Sequence, residues 1–207
     1  MKALAALTPS GQARVPVAWA LYDLANTVYS YAIVSYAMGL WAVDRLGPSD
    51  GQFWFGVANA LSVGLNAAVS PVLGAISDRG GRRLPFLAFF SAQTIIAVTL
   101  IGFLTNGGGS GIAFLGLALF TIANFSYQAA LIYYDATLPA VSKPATRGRV
   151  SGMGVAIGYV GTIVSGVLIL ILDTGSGALT FFLAAGLFAA FAVPIFRFVH
   201  ERPISGY

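Results

Sequence analysis

Apolar residues in this chain fall into six long runs, at 15–43, 52–77, 84–105, 112–140, 150–172 and 178–198. Each is long enough to match the about 20 residues that carry a helix across a bilayer. Polar breaks part them: DRLGPSDG, DRGGRR, NGGGSG, a basic link with Lys143, Arg147 and Arg149, and DTGSG. Pro16 suits the first turn of the first run, where its missing N–H costs nothing. The pattern predicts an all-α membrane protein. A tail at 1–14 precedes a six-span helical bundle at 15–199, and residues 200–207 are a second tail or the start of a central linker.

Composition excludes the main alternative. The chain is 57% hydrophobic and 9% charged, where a soluble domain carries about 25% charged residues. The absence of cysteine excludes disulfides and thiolate metal sites. A signal peptide is not expected, because the apolar stretch Ala3–Leu7 is shorter than the ~7–15 residues of an h-region and Pro9, Ser10 and Gly11 interrupt it. The net charge of +4 follows from topology. Lys2, Arg14, Arg79, Arg82, Arg83, Lys143, Arg147, Arg149, Arg197 and Arg202 fall on one side of the predicted membrane and Arg45 alone on the other. Basic loops stay inside, so both termini are expected in the cytoplasm. Trp19 near the inner surface, and Trp41 and Trp54 near the outer one, fit interfacial belts. The basic residues form no stripe and no nucleic-acid motif is present, so nucleic acid is not an expected partner; the lipid bilayer is.

The densest charge lies in GAISDRGGRR, residues 74–83. Gly74 allows a neighbouring backbone to approach the second span, and Asp78, four residues on, shares its helix face. Gly80 and Gly81 permit a tight reversal. Arg82 and Arg83 suit the anionic headgroup layer, and Pro85 opens the third span. A plain positive-inside turn needs the arginines but not Gly74 or Asp78. The pattern G-x-x-x-D-R-x-G-R-R between the second and third spans resembles the signature loop of the major facilitator superfamily. Gly74, Asp78, Arg79, Gly81, Arg82 and Arg83 fill its specified positions. The resemblance implies a latch whose Asp and Arg close one conformation at the cytoplasmic face and release in the other.

A narrower resemblance flanks it. WALYDLANT, from Trp19 to Thr27, and GRVSGMGVAIGYVG, from Gly148 to Gly161, are similar to the first and fifth spans of the vacuolar amino-acid effluxer family linked to autophagy, with its bacterial relatives. YYDATLP, from Tyr133 to Pro139, resembles that family's Tyr-Asn-x-x-Leu-Pro, with Asp135 where Asn is usual. The resemblance covers roughly residues 16–203 and the amino-terminal six-helix half of a twelve-span fold. It implies a bacterial inner-membrane transporter of small polar solutes, amino acids among them, working by alternating access. It also implies that the first and fourth spans line the central cavity.

Polar residues on the apolar spans mark a candidate pathway. Acidic residues inside a membrane are costly and usually functional; the expected ones are Asp23 and Asp135. Asp23, Asn26 or Thr27, and Ser30 follow helical spacing on the first span. Asn124, Gln128 and Asp135 do so on the fourth, and Asn59, Ser62, Asn66 and Ser70 on the second. Such stripes line a water-filled path or bond neighbouring helices. Asp23 is the candidate carrier of a proton or a solute amine, while for Asp135 a gate or helix-pairing role stands equally open. Gly154, Gly158, Gly161 and Ser165 make a small-residue face for close helix packing. The last span, with little polar beyond Thr180, is expected to face lipid.

Gly152 to Gly154 is not a dinucleotide loop, since no strand precedes it, and Gly107 to Gly109 lacks the Lys-Ser/Thr of a phosphate loop. His200 reads as an interfacial residue. No catalytic triad or metal cluster is apparent and no cofactor is expected. The expected partners are a small solute and a second six-helix half, as a second copy or a separate chain. The competing class is a non-transporting membrane module, a truncated relic or an interaction subunit.

Overall fold

The computed structural model describes residues 14–80, 82–172 and 174–201; of Asp78, Arg79 and Gly80 only the helical backbone is described. Among these residues there is no strand. The elements are α1 (Arg14–Tyr29), a π-helical segment (Ser30–Ala37), α2 (Met38–Leu46), α3 (Pro48–Gly80), α4 (Leu84–Leu104), α5 (Ser110–Ala136), α6 (Leu138–Val141), a 3-10 turn (Pro144–Thr146), α7 (Arg147–Leu172) and α8 (Ala178–Phe198).

Among the described residues five helices are long and apolar enough to cross a membrane: α3, α4, α5, α7 with its preceding 3-10 turn, and α8. This is an integral membrane protein, and its apolar outer surface contacts lipid. The first predicted span is not among the five as a single α-helix. It is helical from Arg14 to Leu46, but the wider turns of the π-helical segment divide it, with Met38 N–H donating to the Ile33 carbonyl five residues back.

Several predicted boundaries shift. The first break is not an eight-residue link. Asp44–Leu46 close α2 and Pro48–Gly51 open α3, leaving Gly47 between them at φ 87°. That value lies in the left-handed region glycine tolerates. Gly51 allows α3 to start against α2, since a Cβ there would lie 2.5 Å from Val43 Cα. At the other end α3 runs through Asp78 and Arg79 to Gly80, so the acidic end of the charged stretch is the last turn of a helix rather than loop. Gly81 lies outside the described residues, as do 1–13 and 202–207 of the predicted tails. The fourth span ends at Ala136, and Leu138–Val141 form the separate turn α6. Arg147 and Arg149 belong to α7.

Helix pairing is regular. α1 packs on α7 and α8, α5 packs on α3 and α4, α4 packs on α8, and the short α2 and α6 meet α3 and α7 respectively. Exchanging the first three long segments for the last three leaves this set unchanged. α1 and α5 are therefore the central helices of two equivalent triplets.

The core is aromatic. Trp19, Tyr22, Tyr29, Trp41, Phe120, Tyr133, Tyr134, Phe181 and Phe188 are buried. This corrects the expectation of interfacial belts for Trp19 and Trp41, which are 3% and 1% exposed. Glycines on facing helices make room for both rings. A Cβ on Gly154 would lie 2.6 Å from the Trp19 ring, and one on Gly116 would overlap the Trp41 ring. Trp54 remains exposed. The expectation of a lipid-facing last span holds on one side only. Phe181, Ala184, Phe188, Ala192 and Ile195 of α8 enter the core while Leu179, Val193 and Phe198 stay outside.

Arg45, the one basic residue expected outside, is an intramolecular clamp. Its guanidinium donates to the Thr105 and Gly107 carbonyls and sits 5.7 Å over the Trp41 ring. Beside it Asp44 accepts a 2.6 Å hydrogen bond from Ser176. One end of the bundle is thus tied across α2, the α4–α5 link and the α7–α8 link.

Candidate functional site

The two intramembrane carboxylates lie on the two central helices. Asp23 is half-buried on α1 and Asp135 is exposed on the last turn of α5. Both follow a tyrosine. Tyr22 and Tyr134 stack with centroids 4.9 Å apart, and Trp19 stacks on the far face of Tyr134 at 4.5 Å. Hydrogen bonds fix this stack. Tyr134 OH donates to the Trp19 carbonyl at 3.2 Å, Trp19 Nε1 donates to Thr137 Oγ1 at 3.1 Å, and Thr137 Oγ1 donates to the Tyr134 carbonyl at 2.6 Å. The Tyr22 hydroxyl lies 2.6 Å from Ser91 Oγ on α4. The aspartates therefore stand next to residues that the aromatic stack and its hydrogen bonds tie together. Tyr127 of α5 lies with its ring centroid 4.6 Å from that of Tyr29 on α1.

The glycine face of α7 packs on the same stretch of α1, as its spacing predicts. Thr27 Oγ1 donates to the Gly158 carbonyl at 2.6 Å, and a Cβ on Gly158 would sit 2.8 Å from Asp23 Oδ2. Only glycine leaves this carboxylate its place. Ser165 closes the face, buried and bonded to the Gly161 carbonyl.

The other stripe residues divide. Asn124 is buried and its amide donates to Asn59 Oδ1 at 3.0 Å and Ser62 Oγ at 2.7 Å, joining α5 to α3. Asn66 and Gln128 are half-buried. Asn26 does not share an open face with Asp23. It is 2% exposed and neither its Oδ1 nor its Nδ2 has a hydrogen-bond partner among the described residues. One helical position decides this, because Thr27, not Asn26, turns towards α7. In the charged stretch Gly74 is half-buried with nothing within 4 Å of a built Cβ, Arg82 is exposed and Arg83 half-buried.

Trp19, Tyr127, Tyr134 and Thr137 were not among the expected site residues. One signal in the sequence could have found one of them, Tyr134: the dipeptide Tyr-Asp occurs at 22–23 and again at 134–135, on the two central helices.

Comparison with known proteins agrees with this architecture. The chain is 28% identical over 201 residues to the uncharacterized MFS-type transporter YxiO of Bacillus subtilis, an alignment covering 89% of this chain and 46% of that protein. It is 26% identical over 189 residues to an uncharacterized protein of Aquifex aeolicus, covering 91% of this chain and again 46% of the relative. The chain thus spans about half the length of the curated relatives it matches. Residues 55–206 match the family model described as vacuole effluxer Atg22 like, and by that match over most of its length the chain belongs to the Atg22-like vacuole effluxer family.

Proposed function

We propose that this chain is the amino-terminal six-span half of a major-facilitator-type transporter and moves a small polar solute, an amino acid being the first candidate, by alternating access. The observation that carries the reading is a carboxylate on each central helix, Asp23 and Asp135, each directly following one of the stacked tyrosines Tyr22 and Tyr134. A carboxylate within the apolar layer costs about 2.5–3.5 kcal/mol by insertion scales. A proton, a cation or a solute amine relieves that cost at either carboxylate.

The helical run from Arg14 to Leu46 counts as the first of six spans, which restores an even number and leaves both ends in the cytoplasm. The exchange symmetry of the helix pairs supports this, since inverted three-helix repeats occur within each half of such transporters. Asp23, Ser30, Gln128 and Asp135 are the primary pathway residues. Asn26 and Asn66 join them when the bundle moves, and Asn59 and Asn124 hold α3 to α5 at the pathway's edge. The stretch Gly74–Arg83, with Asp78, Arg79, Gly81, Arg82 and Arg83, is the cytoplasmic latch.

A second six-helix half, as a second copy or a separate segment, supplies the other wall. α3 and α7 support this, because smaller shares of their most apolar stretches are buried than in α4, α5 and α8, 11% and 17% against 39–44%. The face that α3 leaves open carries Gly56, Ala60, Gly64, Ala67 and Ala68. Small residues of this kind let another helix approach closely.

The test is efflux from vesicles holding the protein and loaded with a mixture of radiolabelled amino acids, with and without a proton gradient. Faster loss than from protein-free vesicles, abolished in Asp23→Asn, is the expected result. Loss equal to that of protein-free vesicles for every amino acid removes that substrate class. Loss that Asp23→Asn does not change removes the carboxylate from the pathway.

A further inference from the structure

α4 begins badly by its own sequence. A helix start leaves backbone N–H groups without partners, normally met by Ser, Thr, Asp or Asn at the N-cap. Here the N-cap is Arg83, whose side chain makes no capping bond, and Pro85 follows within the first turn. A cation is also the wrong charge for the positive end of a helix.

The missing acceptor comes from the other end of the chain. After α8, Val199 turns extended, and the Glu201 carboxylate reaches the start of α4. Arg83 N–H donates to both of its oxygens, at 2.7 Å to Oε1 and 2.8 Å to Oε2, and Leu84 N–H donates to Oε2 at 3.1 Å. Glu201 thus caps α4 from 117 residues away. α4 and α8 also pack on each other, so the cap adds to an existing contact between the two helices. The link between α3 and α4 is only residues 81–83, and its two ends are held differently. The α4 end is bonded to Glu201, while α3 is the spanning helix with the smallest buried share of its most apolar stretch.

We propose that Glu201 is a positioning residue for the charged cytoplasmic stretch: it anchors the Arg82–Arg83 end to α8, so that movement of the stretch is confined to its α3 end. The confinement rests on the latch reading given above; the cap itself does not.

Two measurements on the full chain in lipid nanodiscs test this. In amide hydrogen exchange, Glu201→Ala should raise the rate at the Arg83 and Leu84 amides by about tenfold or more, the order expected for losing a charge-assisted hydrogen bond, with the middle of α4 unchanged. Glu201→Gln keeps one acceptor oxygen and should give a smaller rise at the same residues. It also carries the test if the alanine variant fails to fold. Wild-type exchange at the Arg83 and Leu84 amides in the folded variants overturns the cap.

Spin labels at Ile76→Cys and Arg82→Cys, both exposed positions, test the confinement. Two exchanging components at 76 and a single one at 82 are expected, with Glu201→Ala adding a second at 82. Two components at 82 with Glu201 intact overturn the anchor. A single component at both positions overturns the latch and with it the confinement, while the exchange result still judges the cap.

Discussion

α5 and α7 are both long apolar helices of similar length, 27 and 26 residues, yet they sit in the molecule in opposite ways. α5 buries Phe120, Asn124, Tyr133 and Tyr134 and exchanges hydrogen bonds with α1, α3 and α4. α7 buries a single narrow face of Gly154, Gly158, Gly161 and Ser165 and leaves Val155, Tyr159, Ile163, Leu170 and Ile171 uncovered. In water such a face would be a liability; in a bilayer it costs little, because lipid is as apolar as the side chains. Hydrophobicity therefore does not tell a central helix from a peripheral one here. Large aromatic and hydrogen-bonding side chains mark the centre, and small residues on one stripe mark a helix laid against it.

The largest expected effects bear on what the central pair does. Asp23→Asn should abolish or uncouple solute movement in vesicles while leaving the protein folded, because the amide keeps the carboxylate's shape without its charge. Asp135→Asn, at an exposed position nearer the end of its helix, should do less. Equal losses at both would make the pair a single functional unit rather than a site and its gate.

Orientation is next. Cysteines at Arg82 or Lys143 should react only with reagent on the cytoplasmic side and one at Gly108 only from outside. Outside labelling at 82 would reverse the topology and turn the charged stretch away from the cytoplasm. Asn66→Cys on the less covered part of α3 should crosslink to a second six-helix unit in native membranes. A monomer that still moved solute would place the path within one bundle.

Packing effects are smaller and sharpen the contrast between faces. Gly154→Leu drives a side chain into the Trp19 ring and should destabilise by about 1–3 kcal/mol or more, the usual cost of overpacking. Gly64→Leu, with nothing within 4 Å of its Cβ, should leave the melting temperature in detergent almost unchanged. If the two variants melted together, the close fit of α7 on α1 would be wrong. Asn124→Ala removes the donor shared by Asn59 and Ser62 and should cost about 1–3 kcal/mol. Asn66→Ala should cost little stability, and any defect it produces should be in transport.

Much of this was open to reading in the sequence. Long apolar runs force helices, since within lipid a helix satisfies its own backbone, and so the spans at 84–105 and 178–198 match α4 and α8 to within a residue. The small-residue spacing of α7 identified a packing face because the period of a helix places those positions on one side. The Tyr-Asp dipeptides, the family motifs and the membrane class needed no coordinates.

Tertiary structure alone decided the rest, wherever a side chain's partner lies far along the chain. Tryptophan suits an interface and a core equally, and only the glycines opposite, Gly154 for Trp19 and Gly116 for Trp41, place both rings inside. Asn26 and Thr27 are adjacent, and the packing of α7 selects which of them turns towards it. Asn59 and Asn124 read as a pathway until the helix pairing joins them to each other. The cap on α4 is invisible locally because its acceptor, Glu201, comes from beyond the last helix. A sequence fixes which groups must be satisfied; which of several chemically equivalent partners satisfies them is settled by the approach of segments far apart along the chain.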